Sequence, residues 1–385
     1  MKKTRANIIN VVILGLTSFF TDVSTEMIVK VLPLFLESIG AGGAFIGVIE
    51  GLAETTSSIL KIFSGYISDK IRNRKWLTIF GYAESTVSKF FLLFSKTPFS
   101  VLIVRFFERI GKGIRTSPRD ALIASYTDET NRGFYFGFHR ALDTFGAAVA
   151  PLLAFWVLDK FGKTNYEAVF KIALIPAVIA VLILFFVKEK KLEKEIKKSQ
   201  GTFFKNLNLG KKFYIFLFAI TIFTLGNSSD AFITMYASSF GIFSTTILLM
   251  WFVNTIVYAI LSTPFGILSD KIGRKATLIL GLTIYGISYL AFALAKSETS
   301  FWWIFAIYGV YYALSEGSQR AYISDFVAKD EVRGTAYGLY NFAVGIMSFP
   351  ASLIAGILYQ YVAPSAPFFF GGFLAIFSAI LIFFI

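Results

Sequence analysis

The chain has 385 residues, of which 56% are hydrophobic, 18% aromatic and only 16% charged, and its net charge is +13. With a mean hydropathy of +0.67 it lies far outside the averages of soluble globular proteins and reads as a polytopic membrane protein. It has no cysteine and one histidine, which excludes disulfides and thiolate metal sites and leaves few of the softer ligands that zinc and copper prefer; no metal and no cofactor are expected.

Apolar stretches lie near 8 to 36, 43 to 69, 76 to 95, 99 to 118, 134 to 158, 168 to 187, 213 to 239, 244 to 269, 276 to 295, 300 to 324, 335 to 361 and 367 to 385. Each reaches the roughly 20 residues that cross a bilayer as helix. The expected fold is therefore all-α, with twelve transmembrane helices in two pseudo-symmetric six-helix bundles over 1–187 and 213–385. A basic linker over 188–212 would join them, either solvated or lying against anionic lipid. The first stretch follows Lys2, Lys3 and Arg5 as a signal peptide would, but it is too long and lacks a small-residue cleavage site, so it is expected to stay.

With both termini in the cytoplasm, Lys70, Arg72, Arg74, Lys75, Arg132, Lys271, Arg274, Lys275, Lys329 and Arg333 fall in cytoplasmic loops, and only Lys96, Lys160, Lys163 and Lys296 lie outside. That is the positive-inside pattern. It accounts for the basic balance of the chain without a nucleic-acid partner.

Ionisable residues at bilayer depth are costly and usually line a cavity or pair with one another. Helix 1 carries Asp22, Glu26 and Lys30 at i+4 steps on one face. Helix 2 brings Glu50 and Glu54 to the depths of Glu26 and Asp22, with Lys61 below, and helix 3 adds Glu84 and Lys89 as packing pairs or gates. Arg105, Glu108 and Arg109 of helix 4 sit at the same levels, with Lys112 and Arg115 beneath, and helix 5 rises with His139, Arg140 and Asp143. Such carboxylates and arginines shift one another's proton affinity. Asp22, Glu26 and Glu54 are thus coupling candidates tuned by Arg105 and Arg109, or else all are permanent ion pairs fixing the helices. His139 fits either a proton relay or an interfacial structural role.

The second half is poorer in charge. It holds Asn227, Asp230, Asn254, Glu316, Gln319 and Asn341 as scattered polar points, and Tyr308, Tyr311 and Tyr312 form an i, i+3, i+4 patch. The patch is either a substrate wall or ordinary packing.

An internal echo at a spacing of 201 residues relates the halves. Gly65 to Lys70 returns as Gly266 to Lys271, Gly40 as Gly241, Arg119 as Arg320, Arg132-Gly133 as Arg333-Gly334 and Gly137 as Gly338. Duplication in so apolar a chain points to a secondary transporter whose two bundles rock about a shared site. In that register Asp22 corresponds to Phe223, Glu26 to Asn227 and Glu54 to Thr255, so charge in one half is replaced by aromatic and neutral groups in the other. Arg115 and Glu316 are repeat equivalents of opposite charge, and are expected to meet as a gate.

The loop Gly266-x-x-x-Asp270-Lys271-x-Gly273-Arg274-Lys275, with its first copy Gly65-x-x-x-Asp69-Lys70, resembles the cytoplasmic loop signature of the major facilitator superfamily. The first copy departs by placing Arg72 where glycine is usual. Arg105-Phe106-Phe107-Glu108-Arg109-Ile110-Gly111-Lys112-Gly113 resembles the family's helix 4 motif, whose arginine is linked to proton transfer and is matched by Arg105. Gly137-x8-Gly146-x3-Ala150-Pro151 resembles the helix 5 antiporter motif, with Ala150, Ala154 and Phe155 in place of glycines.

The resemblance implies that helices 1, 2, 4 and 5 border a central cavity. It also implies that Asp69 and Asp270 latch one face, with Arg119 and Arg320 as partners and Gly65 and Gly266 permitting close helix contact. The function expected is proton-coupled export of a small amphiphilic molecule by antiport, in the manner of multidrug or tetracycline-type exporters, by a monomer in the inner membrane. The alternatives are import of an organic anion or siderophore-like molecule, favoured by Lys30, Arg105, Arg109, Arg115 and Arg140, and movement of a lysolipid. No nucleotide loop or nucleophile elbow suggests an enzyme.

Overall fold

The computed structural model describes residues 2–71, 73–127, 132–189, 209–326 and 330–385. Most of the linker, Arg72 and Lys329 lie outside the described residues, as do the side chains of Asp69, Lys70, Arg132 and Arg333.

The first half runs α1 (Lys2–Ser38), α2 (Gly43–Ile71), α3 (Arg74–Leu92), α4 (Pro98–Tyr126), α5 (Arg132–Phe161) and α6 (Tyr166–Leu184). The second runs α7 (Gly210–Gly226), α8 (Ala231–Ser239), α9 (Ser244–Ile272), α10 (Arg274–Ala293), α11 (Glu298–Asp325), α12 (Asp330–Tyr361) and α13 (Ala366–Phe383). Because α7 and α8 are two parts of one crossing, the chain crosses twelve times, with both ends on one face, here called the terminal face; the other is the distal face. Eight crossings are long and apolar enough to span a membrane on length and composition. The remaining four, α2, α3, α4 and α11, include the three helices that carry most of the buried charge, so the composition falls short where the polar interior is built.

Short turns make the reversals. Gly40 and Gly241, one repeat apart, both sit at positive φ, 87° and 75°, a conformation that glycine adopts without penalty. Thr97 opens α4 as a cap that accepts from Ser100 N at 3.2 Å, and Asn165 opens α6 by accepting from Ala168 N at 3.2 Å.

The repeated terminal-face loops tie each half to itself. Arg74 and Arg274 donate to the carbonyls of Ala121 at 3.4 Å and Ala321 at 3.1 Å. Lys75 and Lys275 reach those of Phe185 at 2.9 Å and Phe383 at 3.0 Å. The donors Arg74 and Arg274, and Lys75 and Lys275, are 200 residues apart, one fewer than the sequence register, so the first loop, despite Arg72, recovers the contacts of the second by a one-residue shift.

Within the halves α1 packs on α5 and α6, α2 and α3 on α4, α9 and α10 on α11, and α7 and α10 on α13. Between them, α2 meets α12 and α5 meets α9, two seams related by the internal duplication. The α2–α12 seam is close because its residues are small: a Cβ on Gly47 would lie 2.2 Å from Ser352 O, and one on Gly356 2.4 Å from Gly43 O. Ala44 N donates to Gln360 Oε1 at 3.0 Å at its distal end. Towards the terminal face the halves part, and Gly137, Gly266 and Gly338 have open space where a side chain would be.

This corrects the expectation for the loop glycines. A Cβ on Gly266 would meet nothing within 4 Å, and one on Gly65 would make only ordinary contact with Ser117 at 3.6 Å. Close helix approach is instead made by Gly43, Gly47 and Gly51 on the distal seam, and by Gly81 against Gly111 between α3 and α4.

Candidate functional site: a charged cavity between the halves

A cavity of about 410 Å³ lies between the halves, walled by α1, α2 and α4 on one side and by α7, α8, α11 and α12 on the other. Its second wall is built by a break. The chain leaves helical geometry after Gly226 and resumes at Ala231, although the apolar run over 213–239 reads as one helix. In lipid every backbone group must be satisfied internally. Here Asn227 N donates to Phe223 O at 2.9 Å, Ala231 N donates to Ser229 Oγ at 3.2 Å, and Tyr285 Oη donates to Gly226 O and Asn227 Oδ1, both at 3.2 Å. The signal was the polar run Asn227-Ser228-Ser229-Asp230 after a glycine, the mark of a discontinuous helix lining a site.

Two charged assemblies face the cavity. From α1, Lys30 lies 3.8 Å from Glu26 and 3.6 Å from Asp230 of the opposite half, with its ammonium 3.5 Å over the Trp251 ring. Such a cation is held by two carboxylates and a ring quadrupole together. Tyr308 donates to Asp230 at 3.0 Å and Tyr312 stands at 3.4 Å from it. Across the cavity, α2 and α4 make an alternating chain in which Arg105 bridges Glu50 at 3.3 Å and Glu108 at 2.6 Å, and Arg109 bridges Glu108 and Glu54, each at 3.7 Å. The i, i+3 spacing on α4 puts Glu108 beside Arg105, and the Nε of Arg109, the next residue in the chain, reaches the same carboxylate oxygen.

The acids and the bases differ in what they show to the cavity. The side chains of Glu54, Glu26 and Asp230 are 46%, 29% and 28% exposed, against 7% for Arg109 and 11% for Lys30. The accessible charge is therefore carboxylate. Phe223, Tyr311, Tyr312 and Tyr340 complete an aromatic side.

Other expected residues lie off this cavity. Asp22 is a turn nearer the terminal face and its carboxyl faces that of Asp143 on α5. His139 Nε2 is hydrogen-bonded to Ser18 Oγ at 2.8 Å, buried between α1 and α5. Tyr308 is buried behind Tyr311 and Tyr312 in a cluster with Tyr285 and Tyr289. The expected gate is differently paired. Arg115 turns into its own half, donating to Ser85 Oγ at 2.6 Å and stacking at 4.4 Å on Tyr82. Glu316 is held by Arg140, which also binds Asp143 at 3.1 Å, and by Tyr258 at 2.6 Å. The α5–α9 seam places Arg140, not Arg115, opposite α11.

Among the described side chains the expected latch is not formed in this conformation; that of Asp69 lies outside them. Arg119 binds Asp120 at 2.9 Å and Ser18 at 3.1 Å, Arg274 binds Asp325 within its own half, and Asp270, Lys271 and Arg320 are exposed. The reason is the parting of the halves on that face. Sequence reasoning missed Trp251, Tyr258, Thr224, Thr234, Ser348 and Ser352 as site or gate residues, because uncharged residues in apolar helices carry no signal of which way they face.

The Major Facilitator Superfamily model matches residues 14–242 and 215–385. The chain belongs to the major facilitator superfamily. It is 41% identical over 382 residues to an uncharacterised MFS-type transporter of Methanocaldococcus jannaschii, covering 98% of this chain and 94% of that one. It is 24% identical over 303 residues to a multi-drug resistance efflux pump PmrA homolog of Lactococcus lactis, covering 75% and 73%. Among solved structures it is similar to the nucleoside transporter NupG, with a TM-score of 0.74 at 15% identity over 97% of each chain. It is also similar to an inward-facing, unoccupied bacterial homologue of the lysosomal transporter Spinster, with a TM-score of 0.76 at 14% identity over 98% and 95%. This superfamily member is therefore a multi-pass membrane transporter and not an enzyme, and its twelve crossings and interbundle cavity are those of the fold.

Proposed function

We propose that this transporter exports a small amphiphilic cation in exchange for protons. The observation that carries this reading is the asymmetry of exposure: Glu26, Glu54 and Asp230 face the cavity while Lys30 and Arg109 are withdrawn behind them. Carboxylates so placed accept either a proton or an ammonium-type group, and Tyr311, Tyr312 and Phe223 offer rings to an organic body. The likeness to an efflux pump of Lactococcus lactis supports the outward direction. Import of an organic anion is disfavoured because Lys30 already lies between two carboxylates.

In this reading Glu26 and Glu54 exchange substrate for protons, Asp22 passes protons towards the terminal face, and the terminal face is cytoplasmic, as the basic loops favour. The protein acts as a monomer in the inner membrane, with halves over 1–187 and 213–385 joined by the 188–212 linker. The test uses proteoliposomes with an acidic lumen and ethidium outside. Ethidium is expected to accumulate, the accumulation to collapse with a protonophore, and Glu54→Gln to abolish it. Uptake that ignores the pH gradient, with normal activity in Glu54→Gln, would reject the reading.

A further inference from the structure

We propose that Lys89 on α3 carries a coupling proton and, through Glu108, decides whether Arg109 holds Glu54 or releases it to substrate. The inference rests on the proton-coupled reading above and adds a group that does not touch the cavity.

Lys89 is buried in the first half with no carboxylate in ion-pair contact among the described residues. Its ammonium donates to Ser24 Oγ at 2.9 Å and Thr25 Oγ1 at 2.8 Å, both on α1. An ammonium has three N–H donors, so a third remains beyond those two. A small cavity of about 10 Å³ is lined by Lys89, Thr25, Arg105 and Glu108, about the size of one water. Glu108 Oε1 is buried with no hydrogen-bond partner, while its Oε2 serves Arg105 and Arg109. A donor, an orphaned acceptor and room for a single bridging water thus meet at one point.

The charged groups facing Lys89 are Asp22 from α1 and Arg105, Glu108 and Arg115 from α4, with Glu84 on its own helix bonded to Ser88 at 2.8 Å. The charges of α6, which also packs against α3, are Glu167 and Lys171, paired at 2.7 Å at the exposed distal end. Glu108 is therefore the acid that links Lys89 to the α4 arginines and so to the transport cavity.

The consequence has a sign. With a proton on Lys89, Glu108 has an additional cation to balance and attracts Arg109 less, so Arg109 turns its charge to Glu54 and closes that carboxylate to a cationic substrate. When Lys89 gives up the proton, Glu108 draws Arg109 back and Glu54 is free. Proton and substrate then exclude each other from separate sites, as antiport requires and as linkage makes reciprocal.

The experiment compares wild type, Lys89→Met, Lys89→Arg and the double variant Ser24→Ala with Thr25→Val in proteoliposomes, loaded with ethidium to read exchange and with ethidium outside an acidic lumen to read accumulation. Neither Met nor Arg releases a proton in the working range. Lys89→Met, uncharged like the deprotonated lysine, is expected to keep exchange of labelled for unlabelled ethidium, which needs no net proton movement, whereas Lys89→Arg, fixed in the charged state that closes Glu54, is expected to lower it. Both are expected to lower gradient-driven accumulation roughly tenfold, within the usual range for coupling between sites, and to flatten its dependence on pH. The double variant keeps Lys89, removes its hydroxyl partners, and is expected to lower accumulation in part; it decides the matter if either Lys89 variant fails to fold. Full gradient-driven accumulation in the folded variants overturns the role of Lys89 while leaving proton coupling intact. Accumulation indifferent to pH in the wild type overturns the coupled reading itself.

Discussion

Glu108 shows at the residue scale how one buried carboxylate organises a site. It stands 2.6 Å from Arg105 and 3.7 Å from Arg109, whose side chains are only 3% and 7% exposed, so little water solvates either arginine. Removing one partner of a buried ion pair costs about 3–5 kcal/mol, because the remaining charge is uncompensated. Glu108→Gln, which keeps the shape and removes the charge, is therefore expected to lower the thermal midpoint in detergent well beyond the effect of Glu167→Gln at the exposed end of α6. Equal midpoints for the two would mean that the α4 arginines are neutralised elsewhere. The triad itself was legible in the sequence, since Arg105, Glu108 and Arg109 share one face of a helix at any depth. Its connection to Lys89 was not legible, because it depends on how α3 is rotated against α4.

At the scale of elements, two features do most to shape the cavity: the glycine face of α2 and the interruption between α7 and α8. The first works by absence of side chains. A methyl group on Gly47 would meet Ser352 O at 2.2 Å, against backbone that has no room to yield, so Gly47→Ala should push α12 away and loosen the distal seam. The chain has no cysteine, so a single Gln360→Cys at that seam reports the change. Its labelling by a membrane-impermeant maleimide is expected to rise several-fold when Gly47→Ala is added, and unchanged labelling would show that α2 and α12 are not held by this contact. The interruption works by exposure of backbone and places Asp230 opposite Lys30. Here the sequence carries a readable cue in Asn227-Ser228-Ser229-Asp230, outweighed by the apolar run on either side.

At the scale of the whole molecule, ion pairs among the described residues join the halves at two levels. Lys30 with Asp230 lies towards the distal face, and Arg140 with Glu316 lies nearer the terminal face. Alternating access requires the distal pair to separate when that side opens, so its strength biases the equilibrium between the two states. Lys30→Asp alone is expected to increase distal labelling of Gln360→Cys and to slow transport, since it leaves three carboxylates together. Adding Asp230→Lys should restore part of both by recreating the pair in reverse. A double variant no better than the single would show that Lys30 matters to substrate and not to closure.

The amino-acid sequence by itself determined the number of crossings, the duplicated halves, the loop signature and the concentration of acids and arginines in one half. Each of these follows from local composition, helical periodicity or a repeat, and needs no knowledge of the partner across a seam. Only the tertiary structure decided that Glu26 and Glu54 face the cavity while Asp22 turns to Asp143, that Glu316 pairs with Arg140 and not Arg115, and that Lys30 spans the halves beneath Trp251. Those outcomes depend on the rotation of each helix about its axis and on the sliding of one bundle against the other. In a chain apolar on nearly every face, packing with specific neighbours sets both, and no pattern along a single helix encodes them.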